Sequence, residues 1–336
     1  MTCSSDTKAL IVGPSWVGDM VMAHTLVQSL VAHTPGIELH MLAPPASAPL
    51  AWRMKEVKAV HTLEVGHGEF GWAARREWGR EFAKMHFDCA YILPNSWKSA
   101  LIPFFAGVKR RVGWHGEARF MLLNDRRRLD PARYPLMVER FMALADDDGQ
   151  LPTQPYPTPQ LEVDAANLAR CCSALELKVD NVTALCPGAE FGAAKKWPAK
   201  HYAEVARAIL ARGGQVWLMG SPSDGADCAE ISELAPGCVN LAGRTSLLDA
   251  VDLLSVCRQV VCNDSGLMHV ACALGCRTVG VYGSTSPKFT PPLGDSATIV
   301  ERTLDCRPCF QRVCPLGHLE CLNRLGPDQV LMHLEL

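Results

Sequence analysis

Nowhere in its 336 residues does the chain reach the roughly 18 consecutive apolar residues that a membrane-spanning helix needs. Nor is there a surplus of charge: 33 Lys and Arg stand against 35 Asp and Glu, a net charge of −2. That balance excludes a polybasic nucleic-acid protein, and no nucleic acid is expected as a partner. Low-complexity tracts are also missing. Met1-Thr2-Cys3-Ser4-Ser5-Asp6-Thr7-Lys8 leads straight into the strand-like Ala9-Leu10-Ile11-Val12, without a charged start and a long apolar stretch. No secretory leader is therefore expected, and the location should be cytoplasmic, with peripheral contact to a membrane at most.

Cysteine, by contrast, is plentiful, with fifteen residues. Most are scattered through apolar segments, as Cys89, Cys186, Cys262 and Cys272 are, where a reduced thiol behaves as a small hydrophobe. Four others form Cys306-x2-Cys309-x4-Cys314-x6-Cys321. This spacing lacks the second Cys-x2-Cys pair of strong structural zinc sites, so it is a weak metal candidate.

Periodicity reads as strand and helix in alternation, twice over. In the first half the expected strands are 9–13, 37–43, 60–65 and 89–93, with helices over 20–33, about 72–86 and 95–106. Asp146-Asp147-Asp148-Gly149 and the Pro-rich 152–159 then interrupt the pattern, as a linker does. The alternation restarts with strands at 182–186, 215–219, 238–241, 277–282 and 297–300 and an apolar strand before Asn263. Helices are expected over 201–212, 227–234 and 247–257. This pattern predicts two doubly wound parallel sheets, a domain over 1–160 and another over 161–336. Ligands of such sheets bind beyond the carboxyl ends of the strands, which places the expected site in a cleft between two facing sheets.

Four strand-to-helix turns carry polar residues. In Cys262-Asn263-Asp264-Ser265-Gly266-Leu267-Met268-His269 a strand meets a helix start, where unpaired amides and the positive helix end attract an anion. Gly266 lets a phosphate approach the main chain, and Asp264 can hold a hydroxyl; Asp264 and Ser265 are equally suited to capping the helix. Gly13-Pro14-Ser15-Trp16-Val17-Gly18-Asp19 follows the first strand. It is not the Gly-x-Gly-x-x-Gly fingerprint, and no acidic residue ends the second strand, which argues against a dehydrogenase. Asp19 is either a helix cap or a general base. After the first strand of the second half comes Pro187-Gly188-Ala189-Glu190-Phe191-Gly192-Ala193-Ala194-Lys195-Lys196-Trp197-Pro198. A lysine 4 Å from a phosphate is worth about 4 kcal/mol at an effective dielectric near 20, before desolvation. Gly220-Ser221-Pro222-Ser223-Asp224 offers polar side chains to a ribose.

Together with Leu93-Pro94-Asn95-Ser96, these motifs resemble, in order and spacing over nearly the whole chain, the ADP-heptose–lipopolysaccharide heptosyltransferases. The resemblance implies the GT-B architecture, a nucleotide-sugar donor held by the C-terminal half and a lipid-linked acceptor held by the N-terminal half. It implies an inverting transfer of L-glycero-D-manno-heptose from ADP-heptose to heptosyl-Kdo2-lipid A at the cytoplasmic face of the inner membrane, with no metal and no cofactor. By the same resemblance Asp19 is the catalytic base, Lys195 meets the diphosphate and Asp264 binds heptose hydroxyls. Ser265 and Gly266 supply phosphate-binding amides. Glu190 lies in the matching donor loop, the ribose contact falls near Ser223 or Asp224, Thr245 lies against adenine, and His269 packs behind the site. Some glycosyltransferases hold a metal with Asp-x-Asp; no such motif lies in a loop expected to face the cleft.

Between Lys109 and Arg133 eight basic side chains stand against three acidic ones. Since the implied acceptor is anionic, Arg110, Arg111 and Arg119, with Asn95, Ser96 and Lys98, are the acceptor candidates, against an ordinary solvated face. Two enzyme alternatives keep the same architecture: a heptosyltransferase adding the first or third heptose, and a nucleotide-sugar epimerase. A non-catalytic ADP-binding or zinc-dependent protein is the reading from another class.

Overall fold

The computed structural model describes residues 7–65 and 69–336. Residues 1–6, on which the expected absence of a leader rests, lie outside the described residues. The chain divides into two compact units, Met1–Pro159 and Gln160–Leu336.

The first unit runs β1 (Lys8–Val12), α1 (Val17–His33), β2 (Glu38–Ala43), α2 (Ala48–Ala51), β3 (Val57–Thr62) and α3 (Trp72–Ala83). It continues through β4 (Cys89–Ile92), a 3-10 turn (Trp97–Ala100), α4 (Leu101–Phe105), β5 (Arg110–Trp114), β6 (Asp125–Arg127) and α5 (Met137–Met142). The second unit runs α6 (Ala165–Ala174), β7 (Val182–Cys186), α7 (Ala199–Leu210), β8 (Gln215–Leu218), α8 (Gly225–Leu234), β9 (Val239–Asn240) and α9 (Leu247–Leu254). It ends with β10 (Gln259–Asn263), α10 (Gly266–Ala273), β11 (Arg277–Tyr282), β12 (Ala297–Glu301), α11 (Glu320–Asn323) and α12 (Pro327–Leu331).

Each unit holds one six-stranded sheet, in the order β3-β2-β1-β4-β5-β6 and β12-β11-β10-β7-β8-β9. Every pairing is parallel. The two orders are one winding scheme used twice: in both, the sheet starts centrally, grows to one edge, and then crosses back past the first strand. Helices cover both faces of such a sheet, so its central strands read as continuous apolar runs; β7 and β10 are buried along their whole length. Helix α1 is buried at every position from Met20 to Val27, consistent with the apolar run that marked it.

In the second unit Leu185, Val216, Val261, Val279 and Val281 from the strands pack with Trp197, Tyr202 and Ile209. The C-terminal Leu322, Leu325 and Val330 join the same core. In the first, Leu10, Leu42, Ala90 and Ile92 pack against Phe82 and Phe87.

Several boundaries differ from expectation. The charge-rich 109–133 segment contributes two strands, β5 and β6, that no apolar alternation announces. Asp125-Arg126-Arg127 is held as a strand by pairing with Val112-Gly113-Trp114, not by its own propensity. Helix α6 was also unmarked; Asp164 caps it by accepting from the Ala166 and Asn167 amides. Helix α3 ends at Ala83, and 95–96 stay extended ahead of the 3-10 turn.

Candidate functional site

A doubly wound sheet opens a crevice where its strand order reverses. In the first unit the reversal lies between β1 and β4, in the second between β7 and β10. The four loops that leave these strands at their carboxyl ends are those of the sequence motifs: 13–16, 93–96, 187–192 and 264–265.

In the second unit Asn263, wholly buried, fixes the crevice floor. Its Nδ2 donates to the Pro187 carbonyl at 2.6 Å, and its Oδ1 accepts from the Trp197 amide and the Tyr202 hydroxyl, each at 3.1 Å. One side chain thereby ties the end of β10 to both sides of the β7 loop. Trp197 is anchored in turn by its indole N–H, which donates to the Leu325 carbonyl at 2.8 Å.

Above this floor Lys195 and Asp264 meet. The Lys195 ammonium lies 2.7 Å from Asp264 Oδ2 and donates to the Asp264 carbonyl at 3.1 Å. Thr285 donates its hydroxyl to the same carboxylate at 2.5 Å. An ammonium has three N–H donors, so Lys195 keeps one for a ligand oxygen. Ser265 stands at the N-cap of α10, yet its side chain makes no capping bond. The capping alternative is therefore not the geometry adopted, and the amides that open α10 face the crevice with the positive end of the helix dipole behind them. His269, one turn on, is 4% exposed. Burial pushes its pKa down to about 4, and the imidazole is neutral at physiological pH.

The remaining donor candidates separate by role. Asp224 is buried and accepts from the Ser221 amide at 2.9 Å and hydroxyl at 2.7 Å. Gly188 and Gly220 both pack on it: a Cβ at Gly188 would stand 2.5 Å from its carboxylate, and one at Gly220 2.8 Å from its Cβ. Asp224 is thus a peg joining the loops after β7 and β8, which leaves exposed Ser223 as the hydroxyl offered outward. Lys196 pairs with Asp227 at 2.6 Å, away from Asp264. Thr245 is half-buried just ahead of α9, and Glu190 is exposed.

In the first unit Trp16 is the N-cap of α1, so Asp19 is not the cap; it lies half-buried in the first helical turn. The expected acceptor arginines turn inward. Arg119 is 1% exposed, and its guanidinium donates to the carbonyls of Pro94 at 2.7 Å and Trp114 at 2.5 Å and to Asn95 Oδ1 at 3.2 Å. It braces the loops after β4 and β5, and burial lowers its pKa to about 10, still charged at neutral pH. Arg110 donates to Asp125 and Asp147, and Arg111 to the carbonyls of Leu122 and Val108. Ser96 and Lys98 remain half-buried at the β4 loop, and Asn95 is exposed.

The cations left open are ones that the charge count did not single out. His115, Phe120, Arg126 and Arg128 line an open concavity of about 360 Å³, with the Arg126 guanidinium 4.5 Å from the Phe120 ring centroid. Alternation along β6 was the available signal: Arg126 and Arg128 point opposite to Arg127, whose side chain bonds Asp125. Thr285 was missed as well, although Gly283-Ser284-Thr285-Ser286 follows a clear strand.

Cys306, Cys309, Cys314 and Cys321 line one cavity of about 20 Å³ with His318, room for a single water or ion. Among the described residues no three His, Cys, Asp or Glu side chains stand as a set of metal ligands.

Two doubly wound parallel sheets, with a lysine, a carboxylate and a helix start at the second crevice, have the plan of a GT-B glycosyltransferase. Residues 75–320 match the model of glycosyltransferase family 9 (heptosyltransferase), and the chain belongs to that family. It is 43% identical to lipopolysaccharide heptosyltransferase 2 of Escherichia coli K12 over 338 residues, 97% of each chain. It is 44% identical to lipooligosaccharide heptosyltransferase 2 of Haemophilus influenzae over 304 residues, 87% of each. The solved structure of Escherichia coli ADP-heptose lps heptosyltransferase II superposes with a TM-score of 0.86 at 42% identity, covering 97% of both chains.

Proposed function

We propose that this chain transfers L-glycero-D-manno-heptose from ADP-heptose to heptosyl-Kdo2-lipid A, adding the second heptose of the lipopolysaccharide inner core with inversion. The full-length relationship to the heptosyltransferase 2 proteins carries this reading, and the crevice chemistry assigns its parts. The acceptor hydroxyl oxygen attacks the anomeric carbon of the donor as the bond from that carbon to the β-phosphate oxygen breaks. The hydroxyl proton passes to the Asp19 carboxylate, and ADP leaves with the bonding electrons. A positioned base of this kind contributes about 10²–10⁴ in rate.

Charge developing on the diphosphate is met by the free N–H of Lys195 and the amides at Ser265 and Gly266, donors fixed before the reaction begins. Asp264 and Thr285 hold heptose hydroxyls, while Ser223 and Thr245 take the ribose and adenine. The reading assigns leaving-group charge to these donors and includes no resident cofactor or metal; transfer should therefore persist in the presence of a chelator. Anionic groups of the acceptor are taken by Arg126, Arg128, His115 and Lys98. Because that acceptor is lipid-linked, the enzyme works peripherally at the cytoplasmic face of the inner membrane.

The test is heptose transfer to purified acceptor by wild type and Asp19→Ala. Transfer should fall by at least about a hundredfold while ADP affinity, measured by calorimetry, stays within error. Loss of ADP binding in that variant would remove Asp19 from the role of base. A panel of acceptors bearing no, one or two heptoses separates this reaction from addition of the first or third heptose. ADP-heptose turnover without any acceptor would point to an epimerase.

A further inference from the structure

The first unit carries a surface that transfer chemistry leaves unused. Phe70 stacks on Trp72 and on Trp97, with centroids 5.6 and 5.1 Å apart; Trp72 meets Phe105 edge-on at 5.2 Å, and Phe105 meets Phe104 at 5.9 Å. Buried clusters of this kind are ordinary. Here four of the five rings are open to solvent, Phe70 at 37%, Trp72 at 47%, Trp97 at 40% and Phe104 at 41%. A contiguous exposed aromatic patch marks an interaction site.

The patch is also built. Arg75, 6% exposed, donates to the Phe70 carbonyl at 2.8 Å and to the Lys98 carbonyl at 3.1 Å, locking its two strands of chain together. Gly71 takes a left-handed φ of +60°, with Val65 methyls where a Cβ would be, and so turns Phe70 back onto Trp72. Gly79 lets α4 lie on α3, since a Cβ there would come 2.4 Å from Phe105.

Its border is cationic. Exposed Arg76 and Arg80 follow Trp72 at successive four-residue steps along one face of α3, and Lys98 follows Trp97. The Arg111 guanidinium lies 5.6 Å from the Phe104 ring. Three acids are near in sequence. Glu117 is engaged by the Trp97 amide, Glu81 is paired with Lys84, and Glu77 lies one position round the helix from Arg76.

We propose that this aromatic patch with its arginine and lysine border docks the enzyme on an anionic phospholipid bilayer. Tryptophan and phenylalanine settle at the headgroup level, and cations beside them are drawn to acidic lipid. The proposal rests on the reading that the acceptor is lipid-linked. It places the entrance for that acceptor beside the β4 loop.

The experiment uses the full chain with phosphatidylethanolamine–phosphatidylglycerol vesicles and with neutral phosphatidylcholine vesicles, measured by co-sedimentation and tryptophan emission. Wild type should bind the anionic vesicles with a blue shift, and binding should weaken with salt. Trp72→Ser with Phe104→Ser should lower the partition about a hundredfold, some tenfold per ring, and Arg76→Glu with Arg80→Glu should abolish the preference for anionic lipid. Transfer to a deacylated, water-soluble acceptor should be unchanged in all of these variants. Undiminished vesicle binding by the ring variant overturns the proposal. So does lost transfer to the soluble acceptor, which would make the rings sugar contacts, or a dimeric wild type with a monomeric ring variant, which would make them a self-interface. Absence of transfer by the wild type itself would instead refute the reaction assigned above, without bearing on the vesicle measurements.

Discussion

At the scale of single residues, the second crevice depends on one amide side chain that has no ligand contact in the proposed reaction. Asn263 answers the Trp197 amide, the Tyr202 hydroxyl and the Pro187 carbonyl at once. Replacing it with Leu strands several buried polar groups, each costing about 1–3 kcal/mol. Denaturant unfolding of Asn263→Leu should show a loss of about 3–5 kcal/mol, and a loss under about 1 kcal/mol would mean that water substitutes freely. Lys195→Met should weaken ADP binding by about tenfold or more, and the Asp264 carboxylate, 3% exposed, then loses its cation.

His269 gives the residue scale a pH signature. Its pKa of about 4 in the folded chain lies below the ordinary value of 6.5, so between these values the unfolded chain binds the extra proton. Stability is therefore fully present above pH 6.5 and falls as pH drops toward 4, by about 3 kcal/mol at most. His269→Gln, with no titrating ring, should flatten that part of a melting-temperature profile; an unchanged slope would assign the acid sensitivity elsewhere.

At the scale of elements, what the sequence disclosed depended on which force set each element. Buried parallel strands announce themselves because both faces are apolar, and β1, β7, β10 and β11 fell within a residue of expectation for that reason. Their loops followed, since a turn after a central strand must face the crevice. Strands β5 and β6 stayed hidden because pairing partners and inward ion pairs, not side-chain pattern, hold Arg110-Arg111 and Asp125-Arg126-Arg127 extended. The same cause misassigned the arginines. A count of charges cannot distinguish Arg119, which braces two loops from within, from Arg126, which stands at the surface. Asp224 was ambiguous for a related reason, its role as a peg being visible only once Gly188 and Gly220 close on it. Gly188→Ala tests that packing. The added methyl should cost about 1–3 kcal/mol and weaken ADP binding with it, whereas Gly213→Ala, in a turn with no neighbour within 4 Å of the new Cβ but a φ of +77°, should affect stability alone.

At the scale of the whole molecule, the division of labour predicts where a nucleotide leaves its mark. Hydrogen exchange with and without saturating ADP should show slowed amides at 187–196 and 264–268, while 13–19 exchange as before. Protection at 13–19 of equal size would place the nucleotide in the other half. No helix among the described residues is long and apolar enough to cross a membrane.

That both halves are wound to one scheme leaves the polypeptide with two cradles of a single blueprint and only one nucleotide to seat. Selection between them falls to local chemistry. Pro14 removes an amide from the N-terminal cradle, and Asp19 plants a negative charge at the mouth of its helix, so a diphosphate arriving there is repelled. The same carboxylate that bars the wrong doorway to ADP is the group the reaction needs on that side.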